Sequence, residues 1–224
     1  MKYLIANWKS TKSIKDALSW VKEFNQLLIN NKQIVDKLNS DYLKIIICPS
    51  YHLITSVKEK IYKHKNIHLG SQDCSFFEQG NYTGEVSAQN IKDIVDYSIV
   101  GHSERRKYLK ETDNVIDQKI SLLKDYSIEP ILCVRDEKDQ IPHGVNLIAY
   151  EPVYAIGTGK NENINDVISS KIKISPDKGC VFIYGGSVNP ENISQYSKST
   201  EIQGFLVGNA SKDPKSFLGI ASKL

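Results

Sequence analysis

The sequence predicts a (β/α)8 barrel of the α/β class, built as a single domain over residues 1–224, and three observations predict it. Eight apolar runs of strand length recur along the chain, helical periodicity fills most of the segments between them, and the polar groups suited to chemistry follow the runs. The runs are 3–6, 43–48, 67–71, 97–100, 130–134, 146–150, 181–184 and 204–207. Several are apolar at successive positions, as parallel strands buried on both faces require. An open doubly wound sheet is the alternative, but no Gly-x-Gly-x-x-Gly turn follows the first run.

The helical segments come in order. Residues 14–28 repeat apolar positions at Ile14, Leu18, Val21, Phe24, Leu27 and Leu28, and 53–62, 115–123, 167–174 and 213–224 behave similarly. The basic stretch 58–65 reads as a solvated helix face and its end. One connection departs from the pattern. Only residues 135–144 separate the fifth strand from the approach to the sixth, whereas a parallel crossover takes about a dozen residues or more. Helix 5 is therefore expected to be shortened or missing, leaving strand surface partly exposed or covered by a partner.

At 224 residues, with 40% hydrophobic and 25% charged side chains, the chain has material for one large core. Its net charge of +3 is spread along the chain, so neither a nucleic-acid arm nor a membrane patch is expected. Met1 leads straight into the first strand and no apolar run approaches membrane length, which points to a cytoplasmic protein. Cys48, Cys74, Cys133 and Cys180 lack metal-type spacing and read as reduced thiols; no metal site is expected.

Residues 150–159, Tyr-Glu-Pro-Val-Tyr-Ala-Ile-Gly-Thr-Gly, place Glu151 at a strand end before an apolar, glycine-ended flap. A carboxylate beside such a lid can be dried when the lid shuts, which raises its basicity. Alone, this would be a Glu in a surface turn. The other strand ends strengthen the reading: the first runs into Asn7, Trp8 and Lys9, the fourth into Gly101, His102, Ser103 and Glu104, the seventh into Gly185, Gly186 and Ser187, and the eighth into Gly208 and Asn209. In a barrel these gather at one mouth. Backbone N–H groups at Gly186, Ser187, Gly208, Asn209 and Gly157 could cradle a phosphate. His102 opens a helix, whose N-terminal field keeps an imidazole neutral and able to donate to a carbonyl oxygen. Lys9 would offset ligand charge, with Glu104 as its partner.

These motifs, Asn7-Trp8-Lys9, Thr83-Gly84-Glu85-Val86-Ser87-Ala88, Gly101-His102-Ser103-Glu104-Arg105-Arg106, residues 150–159 and Tyr184-Gly185-Gly186-Ser187-Val188-Asn189, resemble those of the triosephosphate isomerase family in order and spacing. The resemblance implies the TIM barrel fold and interconversion of dihydroxyacetone phosphate and D-glyceraldehyde 3-phosphate. It implies Glu151 as base and His102 as neutral electrophile, the pairing already known for this family. It further implies that Lys9 and Asn7 stabilise the enediolate, that Ser103 and Glu104 support them, and that Gly157, Ser187, Gly208 and Asn209 hold the phosphate. Tyr184 and Ser187 would help to latch the closed lid. No cofactor is implied, since a proton shift needs no electron sink. Residues 72–85, opening on Gln72 and closing on Glu85, resemble a loop that docks into a second subunit, implying a homodimer with Thr83 near the partner's site.

Several residues depart from the family pattern. Tyr154 replaces a tryptophan near the lid, Arg135-Asp136 replaces a Gly-Glu pair, Asn209 replaces a glycine, and Asn90 stands where an apolar residue is usual. Arg135 is expected to serve as a replacement anchor for the open lid. A triose-phosphate-binding relic without turnover would be expected to have lost Glu151, Lys9 or His102, all of which are present. A poorly sealed lid would instead let the enediolate lose phosphate to methylglyoxal.

Overall fold

A computed structural model of the chain describes residues 1–152, 162–175 and 179–224. Among the described residues, eight parallel strands close in chain order: β1 (Lys2–Asn7), β2 (Leu43–Cys48), β3 (Ile67–Ser71), β4 (Tyr97–Val100), β5 (Glu129–Val134), β6 (Leu147–Tyr150), β7 (Val181–Tyr184) and β8 (Gly204–Val207). Each expected run falls on a strand to within one residue at either end. β8 returns to β1 with Tyr3 opposite Gly204 and Ala6 opposite Val207.

The alternation within each strand splits the apolar residues into two cores. Ile5, Ile46, Ile99, Ile131, Cys133, Ala149, Ile183 and Leu206 fill the barrel, while their chain neighbours such as Leu4, Leu132, Val134 and Ile148 face outward under the helices. Both sets are almost fully buried, which is why the strands read as continuous apolar runs.

The outer layer is made of α1 (Ile14–Ile29), α2 (Lys32–Asn39), α3 (Tyr51–Lys60), α4 (Ala88–Ile91), α5 (Ser103–Tyr108), α6 (Asp113–Asp125), α7 (Ile164–Ile174) and α8 (Pro214–Ser222). α1 starts at a capping box in which Ser13 and Asp16 each accept the other's backbone N–H. Its buried face runs through Ala17, Trp20, Val21, Phe24 and Leu28, and Ile14, expected on that face, is exposed. Trp20 explains the phase, since its ring stacks on Phe24 and meets Trp8 edge-on. α4 begins with a second capping box, Ser87 with Asn90, so the polar residue at position 90 closes a helix start. Among the described residues, no helix is long and apolar enough to cross a membrane.

The fifth helix is absent: residues 135–146 join β5 to β6 through turns alone. The expected exposure of strand surface does not follow. Leu132 and Val134 are fully buried and Ile148 almost so, in one apolar cluster that includes Val145 of the connection and has Ile141 packed against it. Lys124 Nζ on the His143 carbonyl and Cys180 Sγ on the Val145 carbonyl hold that connection down. The β7-to-β8 connection is also light, with a single 3-10 turn at Ile193–Gln195.

A buried ion cluster ties the segment after β3 to α5 and α6. Lys119 Nζ lies 2.8 Å from both oxygens of Asp73 and contacts Glu111 Oε1. Arg105 bridges the same two carboxylates at 2.7 and 3.1 Å. Burial pushes the Asp73 carboxyl up to about 6, against the pull of Lys119 and Arg105.

Candidate active site

The strand register sets the carboxyl ends on one level: Asn7 pairs with Cys48, Val134 with Tyr150 and Tyr150 with Tyr184. The first residues past those ends therefore converge. Asn7, Lys9, His102 and Glu151 line one cavity of about 260 Å³ together with Gly185, Ser187, Gly208 and Asn209. That volume suits a small ligand.

Lys9 is held in a left-handed conformation, φ 51°, which a non-glycine residue rarely adopts. Its N–H donates to Asn7 Oδ1 at 3.0 Å, and its carbonyl accepts from Ser50 Oγ at 3.0 Å and Gln72 Nε2 at 2.9 Å. Three neighbours thus over-determine the backbone, the condition under which strain persists at functional sites. The Lys9 ammonium reaches Glu104 Oε1 at 2.5 Å, the partnership expected from sequence.

His102 is the N-cap of α5, and its Nδ1 accepts the N–H of Glu104 at 3.2 Å. With Nδ1 an acceptor, the proton of the neutral ring sits on Nε2, which points at Glu151 Oε1, 2.9 Å away. The other Glu151 oxygen accepts the N–H of Ser103 at 3.0 Å. Glu151 is 2% exposed and His102 6%, so the pair is dry. Burial works against ionising Glu151, but His102 and Ser103 outweigh it and hold the carboxyl below its usual range. Burial likewise opposes a charged His102; the Glu151 carboxylate prevails and raises it above the ordinary histidine value. The imidazole of this pair is thus more basic than the helix N-terminus alone would make it, a correction to the expectation of depression. Its cause is the partner carboxylate.

Ser187, Gly208 and Asn209 line the cavity as expected, and Gly186 does not. A Cβ at Gly186 would lie 2.4 Å from the Tyr184 hydroxyl, so this glycine makes room for a ring. Tyr184 is itself fully buried, and its hydroxyl accepts the N–H of Glu162 at 3.0 Å. Arg135, expected to anchor the lid, is turned onto its own loop, with Nε and Nη2 on Asp139. Gly157 and Tyr154 lie outside the described residues.

The sequence pattern of one family, Triosephosphate isomerase, matches residues 2–147 and 139–224. The two matches overlap over residues 139–147, most of the connection that lacks its helix together with the first residue of β6. The chain belongs to the triosephosphate isomerase family. It is similar to the triosephosphate isomerase of Mycoplasma genitalium, 37% identical over 98% of this chain and 97% of the relative. The triosephosphate isomerases of Dictyoglomus thermophilum, at 36% over 98% of both chains, and Aquifex aeolicus, at 31% over 97% of both, are similar too. As a member of this family, the chain is an isomerase.

For a triosephosphate isomerase fold, the site holds two residues that sequence reasoning did not single out, Leu206 and Ala210, and it is also lined by Val188 and Asn189, which the sequence placed in the Tyr184 to Asn189 motif without assigning them a role. Leu206 could have been found from alternation, since it points into the barrel from β8. Asn189 spends its side-chain oxygen on the N–H groups of Glu191 and Asn192, which fixes the turn behind Ser187. Gly185 is needed for close approach: a Cβ there would lie 3.0 Å from Glu151 Cγ and 3.1 Å from the Tyr150 carbonyl. Gly185→Ala is expected to push Glu151 off His102, lowering kcat about tenfold or more while costing about 1–3 kcal/mol of stability. Steady-state kinetics beside thermal melts check both; full activity would show that Glu151 can yield without loss.

Proposed function

We propose that this isomerase interconverts dihydroxyacetone phosphate and D-glyceraldehyde 3-phosphate through an enediolate, with Glu151 as the base. The observation that carries the reading is the buried contact of Glu151 with His102 on a cavity that also holds Lys9 and the turns after β7 and β8. A carboxylate, an imidazole N–H and an ammonium then surround a space the size of a triose.

Both oxygens of Glu151 are engaged in the free protein, so the carboxylate must release His102 or Ser103 to meet substrate. It then takes a proton from the carbon beside the carbonyl; the electron pair forms the carbon–carbon double bond and the carbonyl oxygen gains negative charge. His102 Nε2–H donates to that oxygen and recovers a proton from the neighbouring hydroxyl. Glu151 returns its proton to the adjacent carbon. Once Glu151 faces the substrate, the influence that raises His102 weakens while the Glu104 N–H on Nδ1 stays, so a neutral imidazole meets the carbonyl. Lys9 and Asn7 stabilise the developing charge, Glu104 aims Lys9, and Ser103 steadies Glu151. The N–H groups of Ser187, Gly208 and Asn209, with Gly157 of the lid, hold the phosphate. Each proton removed is returned, so the chemistry calls for no redox cofactor.

The whole chain, 1–224, is read as one barrel unit working as a homodimer. Residues 72–85 present an aromatic cluster: Phe77 stacks on Tyr82 at 4.0 Å between ring centres, and Phe76 lies 4.0 Å from Phe77. Phe76 and Tyr82 are exposed for all their size. A hollow lined by Lys9, Ser50, Gln72, Glu104 and Arg105 offers a receptacle for the same loop of a second copy. Tyr82→Glu is expected to lower the mass in solution from dimer to monomer by light scattering; a wild-type protein already monomeric would remove the dimer from the reading. Free buried thiols at Cys48, Cys74 and Cys133 support a reducing, cytoplasmic setting.

The test is interconversion of the two triose phosphates by purified protein, with methylglyoxal assayed in the same tube. Isomerisation without methylglyoxal supports the reading, and triose phosphate bound but not turned over would replace it with a binding protein.

A further inference from the structure

We propose that Asp139 is a positioning residue for His102, acting through Arg106. The inference rests on the isomerase reading of the site and concerns the connection that lost its helix.

Arg106 is buried, and its Nε donates to the Gly101 carbonyl at 3.0 Å. Gly101 precedes His102 and turns the chain with φ +68°; a Cβ there would lie 2.9 Å from Ile116 Cδ1 and 3.3 Å from the Cys133 carbonyl. The turn that aims the imidazole is therefore tight, and Arg106 pins it. Arg106 is pinned in turn. Its Nη1 lies 2.6 Å from Asp113 and 3.9 Å from Asp139. Asp113 is 39% exposed in its side chain, whereas Asp139 is 3% exposed, so solvent screens the second attraction far less than the first.

Asp139 does not wander. The backbone N–H of Arg135 donates to its Oδ2 at 2.7 Å, and the Arg135 guanidinium grips the carboxylate at 2.5 Å from Nη2. Arg135 is the first residue beyond β5, the strand between those leading to His102 and Glu151. Glu151 leans on the same strand end, its N–H donating to the Val134 carbonyl at 2.8 Å. A turn thus delivers a buried carboxylate to the point from which both reacting side chains are braced. Misplacement of reacting groups by about 1 Å costs on the order of a hundredfold in rate.

Asp139→Asn keeps the shape and removes the charge. Its expected effect is a fall in kcat of about tenfold at nearly constant KM, with a shift of the His102 imidazole nitrogen resonances in the free protein. Arg135→Gln, at a half-exposed side chain, loosens Asp139 from the other side and is expected to move the same two readouts in the same direction by a smaller amount. Unchanged kcat per folded molecule together with unmoved His102 resonances would overturn the proposal, and if Asp139→Asn does not fold, Arg135→Gln decides alone. Wild-type protein and Glu151→Gln run in the same series keep the two ideas apart. A wild type that turns nothing over defeats the isomerase reading, while the His102 resonances still report whether Asp139 positions the ring.

Discussion

Glu151→Gln is expected to lower kcat for triose phosphate interconversion by about a thousandfold, with KM changed by much less, if Glu151 is the base proposed above. The amide cannot take the proton, and its oxygen can satisfy only one of the two donors that the carboxylate serves, the His102 ring and the Ser103 N–H. One buried donor is left facing another, which costs about 1–3 kcal/mol. The variant also carries a spectroscopic mark. His102 is held above the ordinary histidine range by the Glu151 charge, against burial, so its titration midpoint falls when that charge is removed. A proton NMR titration of the His102 ring in wild type and variant reads this directly. Activity retained within tenfold would mean that another group is the base; an unmoved His102 midpoint would mean that the pair is not coupled as the 2.9 Å contact implies.

Lys119→Met has the largest expected effect on stability. The lysine is 2% exposed and is the buried cation shared by Asp73 and Glu111. Without it, two carboxylates depend on Arg105, whose side chain is 31% exposed. Removing one partner of a buried ionic group costs about 3–5 kcal/mol, a fall in Tm on the order of 10 °C for a chain of this size. The loss depends on pH with a definite sign. Burial raises Asp73 in the folded state to about 6 from 3.8. A group shifted upward contributes stability that is complete below its unfolded pKa and lost as pH rises through the folded one. In the variant, with Lys119 gone, Asp73 shifts further up, so the deficit against wild type shrinks between about pH 7 and pH 5. Thermal melts at both values check it, and a deficit equal at the two would show that Asp73 is not the group left stranded.

Much of this was legible in the chain itself, for physical reasons that differ from place to place. Residues 131–134 read as a strand because successive side chains enter two different cores, so both faces had to be apolar. Glu151 and Gly185 could be placed because they are the first residues past their strands, and a closed barrel sends such residues to one mouth. α2 was missed since it buries only Ile34 and Leu38, too short a stripe to stand out as a period. In α1 the periodicity was right and its phase was off at Ile14, because the bulk of Trp20 rather than the count of apolar residues decides which way the helix turns. Asp139 had no such signal. A carboxylate in a turn is ordinarily solvated, and its burial follows from Arg135 and Arg106 closing on it, a relation that no spacing encodes. The raised His102 had the same origin, since its partner lies on another strand.

The twelve residues 135–146 that replace a helix also bear on how the chain finds its fold. Loop-closure entropy grows with the logarithm of the span, and a connection of this length makes β5 with β6 the least expensive parallel pairing in the barrel. The seam between β8 and β1 joins the opposite ends of the chain, so it closes under the greatest entropic load. During refolding, the strand ends bearing Glu151 and the Asp139 turn would organise early, and the turns after β7 and β8 would follow. On this account the strand end bearing the proposed base, Glu151, is expected to form before the turns proposed to hold the phosphate.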